Sequence, residues 1–411
     1  SLRRRQRQMC IRDRYEHWCI GHVNSKGEVT RWSSSDFGTD YGVKTSVFEE
    51  DVPPYINSIS AFEDGRMLVS GMFSAFEVYN PKNGGLYDLA DRVYVNNIMV
   101  LRSNAHPDTT QQYIFEDAGT ESNGTPIRYS FSKLNGGSLQ PIVRSFVTSA
   151  QKIVAVGNLT QYVCNEYASS YVDSKQRISS VASAFRMDDC GVLDSTYRLV
   201  DRTGRYSGAG GGNITDACMD KDDGVVLVGS FTSFDGVPAP GMVRLDADGN
   251  VDHAFLENLG TGPDGNVTMV RYNKALNKMM VVGGFEHVNG QPRQQMAMLN
   301  PDGTLDGTFV PREIGGGAVN FAQLIDKEKV IVSGTFSTYG GVPRLGFLIL
   351  EMDGTAQQKF NVPGTFNGQL YHVAETETTL GSYGLLLMGS FDRFNGQKAN
   401  NVLMLEVNLE H

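Results

Sequence analysis

Three groups of residues in this 411-residue sequence have types and spacings that invite chemistry. The first is acidic. Asp246-x-Asp248-Gly249-x-x-Asp252 and Asn300-x-Asp302-Gly303-x-x-Asp306 set oxygens around a glycine, as a loop for a hard cation does. An EF-hand fails, because with Gly249 as the sixth loop residue, Phe255 falls where the bidentate Glu is required. Recurrence at matched places points instead to Asx-turns that hold hairpins, so no metal is expected. The second group is glycine. GAGGG at 208–212 has counterparts near 260 and 315, but it lacks the G-K-[ST] and the following helix of a phosphate cradle. It reads as a connector, and no cofactor is expected. The third group is aromatic. TQYVCNEYASSYVDSKQR (160–177) carries Tyr162, Tyr167 and Tyr171 among Asn, Gln and Asp, and Trp32 offers a fourth such ring. A flat apolar face beside directional polar groups is what a sugar ring needs, which makes these four the candidate ligand-binding residues. The alternative, that they pack an outer strand or the loop itself, stays open.

Signatures of catalysis are missing: there is no G-x-S-x-G and no H-E-x-x-H, and the seven His are scattered. Glycosidases need only two carboxylates that meet in space, so Asp117, Glu121 and Glu166 stand as candidates for a polysaccharide-acting hydrolase or lyase. Cys19, Cys164, Cys190 and Cys218 form no CxxC and have no His at ligand spacing, which argues against zinc. A Cys164–Cys190 bridge is left open.

The elements that must position these residues repeat. G-x-F recurs at Gly71-Met72-Phe73, Gly229-Ser230-Phe231, Gly283-Gly284-Phe285, Gly334-Thr335-Phe336 and Gly389-Ser390-Phe391, with a degenerate copy at Gly157-Asn158-Leu159. The last four glycines are 54, 51 and 55 residues apart, and the earlier gaps of 86 and 72 imply insertions. A period near 50 signals a propeller or a solenoid. Before each glycine runs a short apolar strand, and after it comes a reversal such as FDGVP, VNGQP or YGGVP. A second strand and an Asp-Gly turn follow. The glycine would permit a bulge or a close backbone approach, and the Phe would anchor the core. About four short strands per repeat make a small sheet with two apolar faces, and radial stacking buries both. The expected fold is therefore an all-β β-propeller of about six four-stranded blades, or of seven with one incomplete. Residues 18–32 read as half a blade.

An apolar strand, G-x-F, a Gly loop and D-G-x-x-D-x-x-F resemble the delta-60 family of β-propeller repeats, closely over 223–360, partly over 385–408 and weakly over 61–200. The resemblance implies a bacterial cell-surface, periplasmic or secreted protein, similar to surface lipoproteins of polysaccharide-using Gram-negative bacteria. Residues 1–14, with six Arg and one Asp, resemble translated adapter sequence and are set aside. Without their net +5 the formal charge falls from −10 to −15, which disfavours nucleic acid as a partner. No apolar run is long enough to span a bilayer as a helix. Residues 15–411 are expected to form one propeller domain with insertions around 102–130 and 160–177, where function in repeat proteins often resides. The reading is a non-catalytic binder of polysaccharide or a surface protein. The alternatives are the hydrolase or lyase above and a purely structural or docking module.

Overall fold

A computed structural model describes residues 16–18, 40–44, 53–78, 92–114, 127–167, 175–357, 366–378, 381–399 and 401–406. Residues 1–14 lie outside these, as do 19–32 of the expected half blade. Two compact units divide the chain between Ser207 and Gly208. Each G-x-F copy lies in or just after the middle strand of a three-stranded antiparallel meander. In the first unit the meanders are Tyr55–Ala61, Met67–Met72, Ile98–Leu101 and Arg144–Val147, Ile153–Val156, Ala184–Met187. In the second they are Ile214–Met219, Val225–Gly229, Met242–Leu245; Val267–Asn273, Lys278–Gly283, Met296–Leu299; Val319–Ile325, Lys329–Gly334, Phe347–Glu351; and Phe366–Glu377, Tyr383–Phe394, Val402–Glu406.

The repeated phrase is thus the middle strand. It reads as the most apolar because it is paired on both edges and covered on both faces; Val225–Gly229 is buried at every position. The strands that pack side by side from sheet to sheet are the first ones, Ile214–Met219 on Val267–Asn273, then Val319–Ile325, then Phe366–Glu377. Their contacts are partly polar. Asp216, 3% exposed, accepts the N–H of Val270 (3.1 Å) and Nη1 of Arg271 (2.5 Å), and the Gln323 amide donates to the Val373 carbonyl (2.7 Å). A fourth strand survives only as single bridges, Leu245 with Val251, Leu299 with Leu305 and Leu350 with Ala356. The Asp-Gly turn before each bridge is the tight Asx-turn expected. Asp246 Oδ1 accepts from the backbone N–H of Asp248 (3.0 Å) and Asn250 (2.8 Å), with Gly249 at φ 82°. Asp252 then caps a helix, His253–Leu259, that lies between the turn motif and the glycine-rich connector near 260 and that the sequence analysis does not anticipate.

The glycine of the phrase answers to a bulge. The first strand slips register between Ile56 and Ser58, Ile214 and Asp216, Val267 and Met269, Val319 and Phe321, and Leu370 and His372, each time opposite that glycine. A Cβ added at Gly71, Gly229, Gly283, Gly334 or Gly389 would meet the carbonyl oxygen of Tyr55, Asn213, Asn266, Ala318 or Gln369 well inside 3.0 Å. In the degenerate copy the register of Arg144–Val147 with Ile153–Val156 is clean, and a Cβ at Gly157 would come no nearer than 3.1 Å. The neighbouring Phe73, Phe231, Phe285, Phe336 and Phe391 are all at most 2% exposed.

The reversals after the phrase are equally regular. Asp235-Gly236, Asn289-Gly290, Gly340-Gly341 and Asn395-Gly396 all take positive φ at both residues, as type I′ hairpins demand. At the other end of the middle strand a cation pins the Asp-Gly turn. Lys278 Nζ reaches Asp306 at 2.7 Å, while Lys152 and Arg186 share Asp194 at 3.2 and 2.9 Å. Where Gly224 replaces the basic residue, Arg244 from the third strand takes over and pairs with Asp220 and Asp252, each at 2.7 Å.

Two outcomes are expected. Gly283→Ala should cost about 1–3 kcal/mol, because backbone cannot yield to the new methyl, whereas Gly284→Ala, with nothing within 4 Å, should stay within about 0.5 kcal/mol. Equal effects in chemical denaturation would contradict the bulge assignment. Burial alone would raise the carboxyls of Asp194 and Asp306, but Thr196 with Arg186 and Lys152, and Lys278 with Thr308, outweigh it and hold both below the ordinary value. Groups with depressed folded pKa contribute stability above about pH 4, and lose it as pH falls through the folded value. Asp306→Asn should therefore lower the thermal midpoint at pH 7 and lower it less at pH 3; a pH-independent difference would contradict this.

Candidate functional site on the inserted hairpins

Both insertions fold as β-hairpins. Thr109–Ile114 pairs with Ile127–Ser132, and Gln161–Glu166 pairs with Lys175–Ser180 on one side and Gly137–Ser138 on the other. The sequence reading saw irregular loops here because neither stretch carries the apolar middle-strand signature. Residues 115–126 and 168–174, between the paired strands, lie outside the described residues. The two hairpins meet in an aromatic cluster of Tyr94, Tyr129, Phe131 and Tyr167, with Phe131 near the base of the first and Tyr167 at the far end of Gln161–Glu166. The Phe131 and Tyr167 rings lie 4.3 Å apart, and Tyr129 stands edge-on to Phe131 at 6.4 Å. Tyr129 and Phe131 are buried, at 1% and 2% exposure, so the cluster is a small core of its own.

The four candidate aromatics fare differently. Tyr162 is inside, 4% exposed, edge-on to Phe185 at 5.2 Å, with its hydroxyl donating to the Gly191 carbonyl. Burial pushes its phenol well above the ordinary range. It presents no face to a ligand. Tyr167 is half-buried against Phe131, and its hydroxyl accepts from Asn165 Nδ2 at 3.0 Å; burial raises its pKa too. Tyr171 and Trp32 lie outside the described residues, as do Asp117 and Glu121. Glu166 is exposed and pairs across the hairpin with Arg177 at 2.5 Å. Tyr113, a residue outside the four candidates, is 66% exposed on Thr109–Ile114, with the exposed Gln111 on the same face of the strand. On the other hairpin Gln176, Arg177 and Ile178 are exposed, Ile178 at 48%. The available signal was the β-prone run TTQQYI facing IRYSFS; strand alternation, not loop character, separates Tyr113 from Phe131.

Elsewhere the geometry is explained locally. Asp188, Asp189 and Cys190 are the one cluster of metal-ligating type among the described residues. Asp188 is the acceptor of its own turn, from the N–H of Cys190 (2.9 Å) and Val192 (2.8 Å), and Asp189 pairs with Arg66 at 2.9 Å. Cys164 and Cys190 are free thiols, so the bridge left open between them is not formed. In the second unit a shallow depression of about 430 Å³ is walled by Lys221, Asp222, Asn277, Lys278, Asn300 and Asp302. Thr304 bonds hold the Asp302 carboxyl low, so it stays ionised. His287 Nδ1 lies 2.8 Å from Asp264 Oδ2, and the backbone N–H of His287 and Glu286 bond the other oxygen. These bonds bring Asp264 down to about 2. The imidazole is thereby oriented at an exposed site.

Comparison with known proteins agrees with this architecture. A family model described as domain of unknown function DUF5122, a β-propeller, matches residues 221–255 and 277–309. These segments hold the Asp-Gly turns and middle strands described above, and with the recurring meanders they make the fold an all-β β-propeller. No curated protein sequence matches the chain. Solved structures similar to it include the WD40 β-propeller domain of Doa1, at 10% identity and TM-score 0.41, covering 85% of this chain and 77% of that one. A gluconolactonase from Xanthomonas campestris has 14% identity and TM-score 0.35, covering 89% and 94%. YCF48 bound to a D1 peptide has 11% identity and TM-score 0.39, covering 86% and 93%.

Proposed function

We propose that this chain is a non-catalytic binding propeller of the delta-60 repeat type, at a bacterial cell surface or in the periplasm. It engages glycan through the hairpins inserted in its first unit. One observation carries the reading: Tyr113 stands two-thirds exposed on a hairpin whose base is clamped by the Phe131–Tyr167 contact. A rigid base and an exposed ring with Gln111 on the same strand face supply a stacking surface with a hydrogen-bonding neighbour at little entropic cost. The non-catalytic part rests on the sequence, which carries neither G-x-S-x-G nor H-E-x-x-H.

The same hairpin favours a second reading. Among the described residues Thr109–Ile114 pairs with a strand on one edge, and it carries no charge or proline, which suits the addition of an extended protein segment along its other edge. Affinity electrophoresis against a panel of polysaccharides separates the two. Retention by at least one is expected, with Tyr113→Ala weakening it about 3- to 10-fold, the loss of one stacking contact. Retention by none, or retention indifferent to Tyr113→Ala, would overturn the glycan reading.

A further inference from the structure

After each type I′ turn of the second unit the chain rejoins the third strand through one equivalent position, held by Ala239, Arg293, Arg344 and Ala399. Their N–H groups bond back to the carbonyls of Thr232, Glu286, Ser337 and Asp392 at 3.0, 2.8, 2.8 and 2.9 Å, which makes the four places the same. Ala239 and Ala399 are buried there, so the hairpin closes without a longer side chain. Arg293 is nonetheless 5% exposed. A guanidinium has five N–H donors. Among the described residues Arg293 uses one, from Nη1 to the Pro292 carbonyl at 2.7 Å, and its Nε is sealed from solvent without an acceptor. Arg344 repeats the arrangement, with Nη1 on the Pro343 carbonyl at 2.8 Å and a buried Nε lacking a partner among the described residues.

Among the described residues no carboxylate pairs with Arg293. Asp306, whose charge acts on it, is already held by Lys278 and by Thr308. Two cations therefore share one carboxylate. Burial pulls the Arg293 guanidinium below its ordinary pKa, whereas Arg244, set against Asp220 and Asp252, is raised despite its own burial. A buried cation is strongly unfavourable unless an anion meets it.

We propose that Arg293 is an anion seat, its planar fork taking one oxyanion group, a carboxylate, phosphate or sulfate. The fork suits bidentate capture of such a group, and no part of the fold needs the charge, since alanine serves at the two equivalent places. The source is either a free inorganic ion or an acidic group carried on a polymer. The seat is independent of the Tyr113 hairpin, so either reading can fail without the other.

The test is thermal unfolding of the full chain as sodium sulfate, phosphate, acetate or galacturonate is raised, with ionic strength held constant by sodium chloride. The wild type should gain at least about 3 °C in a saturating fashion. Arg293→Met should stay flat, with a midpoint in chloride at or above that of the wild type, because the charge it removes is uncompensated. A response to sulfate and phosphate alone assigns a tetrahedral oxyanion, and one to acetate and galacturonate alone assigns a carboxylate. The same saturable rise in Arg293→Met, or a variant several degrees less stable in chloride, would overturn the seat. Calorimetric titration of the wild type decides the matter even if the variant does not fold: no saturable heat with any of the four anions is a refutation.

Discussion

One steric fact underlies this fold: in five of the six meanders described, the backbone of the first strand bulges into the space where a side chain on the middle strand would otherwise stand. Five glycines of the G-x-F phrase accept that intrusion, from Gly71 to Gly389. The bulge strengthens the local twist of a short sheet, and twist is what lets small sheets lie against one another without exposing their apolar faces. The Phe two residues on then fills the space beyond the bulge. Gly157 sits in a meander with clean register, and there the phrase has decayed to Gly157-Asn158-Leu159. Motif and bulge vanish together, which ties them physically.

Around this constraint the remaining regularities are local chemistry at strand ends. At one end, left-handed pairs such as Asn289-Gly290 reverse the chain; at the other, an Asx-turn and a cation such as Lys278 hold the return. Because each device works within one repeat, a repeat can carry an insertion without disturbing its neighbours. The first unit uses that freedom for two hairpins joined by an aromatic cluster of their own, and the second keeps short connectors. The unit with longer inserted surface is the one proposed to meet a ligand, while the shorter loops of the other carry the unpaired Arg293.

What could be read from sequence follows the same division. The glycine as a mark of close approach, the Asn-Gly reversals and the Asx-turns at Asp246 and Asp302 were legible because each depends on a few adjacent residues. The place of the phrase within its sheet was not, since a middle strand and an innermost strand look alike when both faces are covered. The helix His253–Leu259 hid behind its own cap, Asp252, which the turn motif had already claimed. The aromatic candidates show the sharper limit. Tyr162 and Tyr113 sit in similarly polar stretches, yet one is 4% and the other 66% exposed. Which face of a hairpin is covered depends on a partner distant in sequence, here Phe185 for Tyr162 and, among the described residues, no equivalent ring for Tyr113.

Residue-resolved amide hydrogen exchange on the intact protein tests the central claim most directly. The amides of Gly71, Gly229, Gly283 and Gly334, bonded to the carbonyls of Asn97, Gly241, Gln295 and Gly346 at 3.0 Å, should be among the slowest to exchange. The bulged residues Asn57, Thr215, Thr268 and Asn320, left out of the ladder opposite them, should exchange much faster than their strand neighbours. Slow exchange throughout the first strands, with no break at these four positions, would mean that the ladders are regular and that the glycines serve some other purpose.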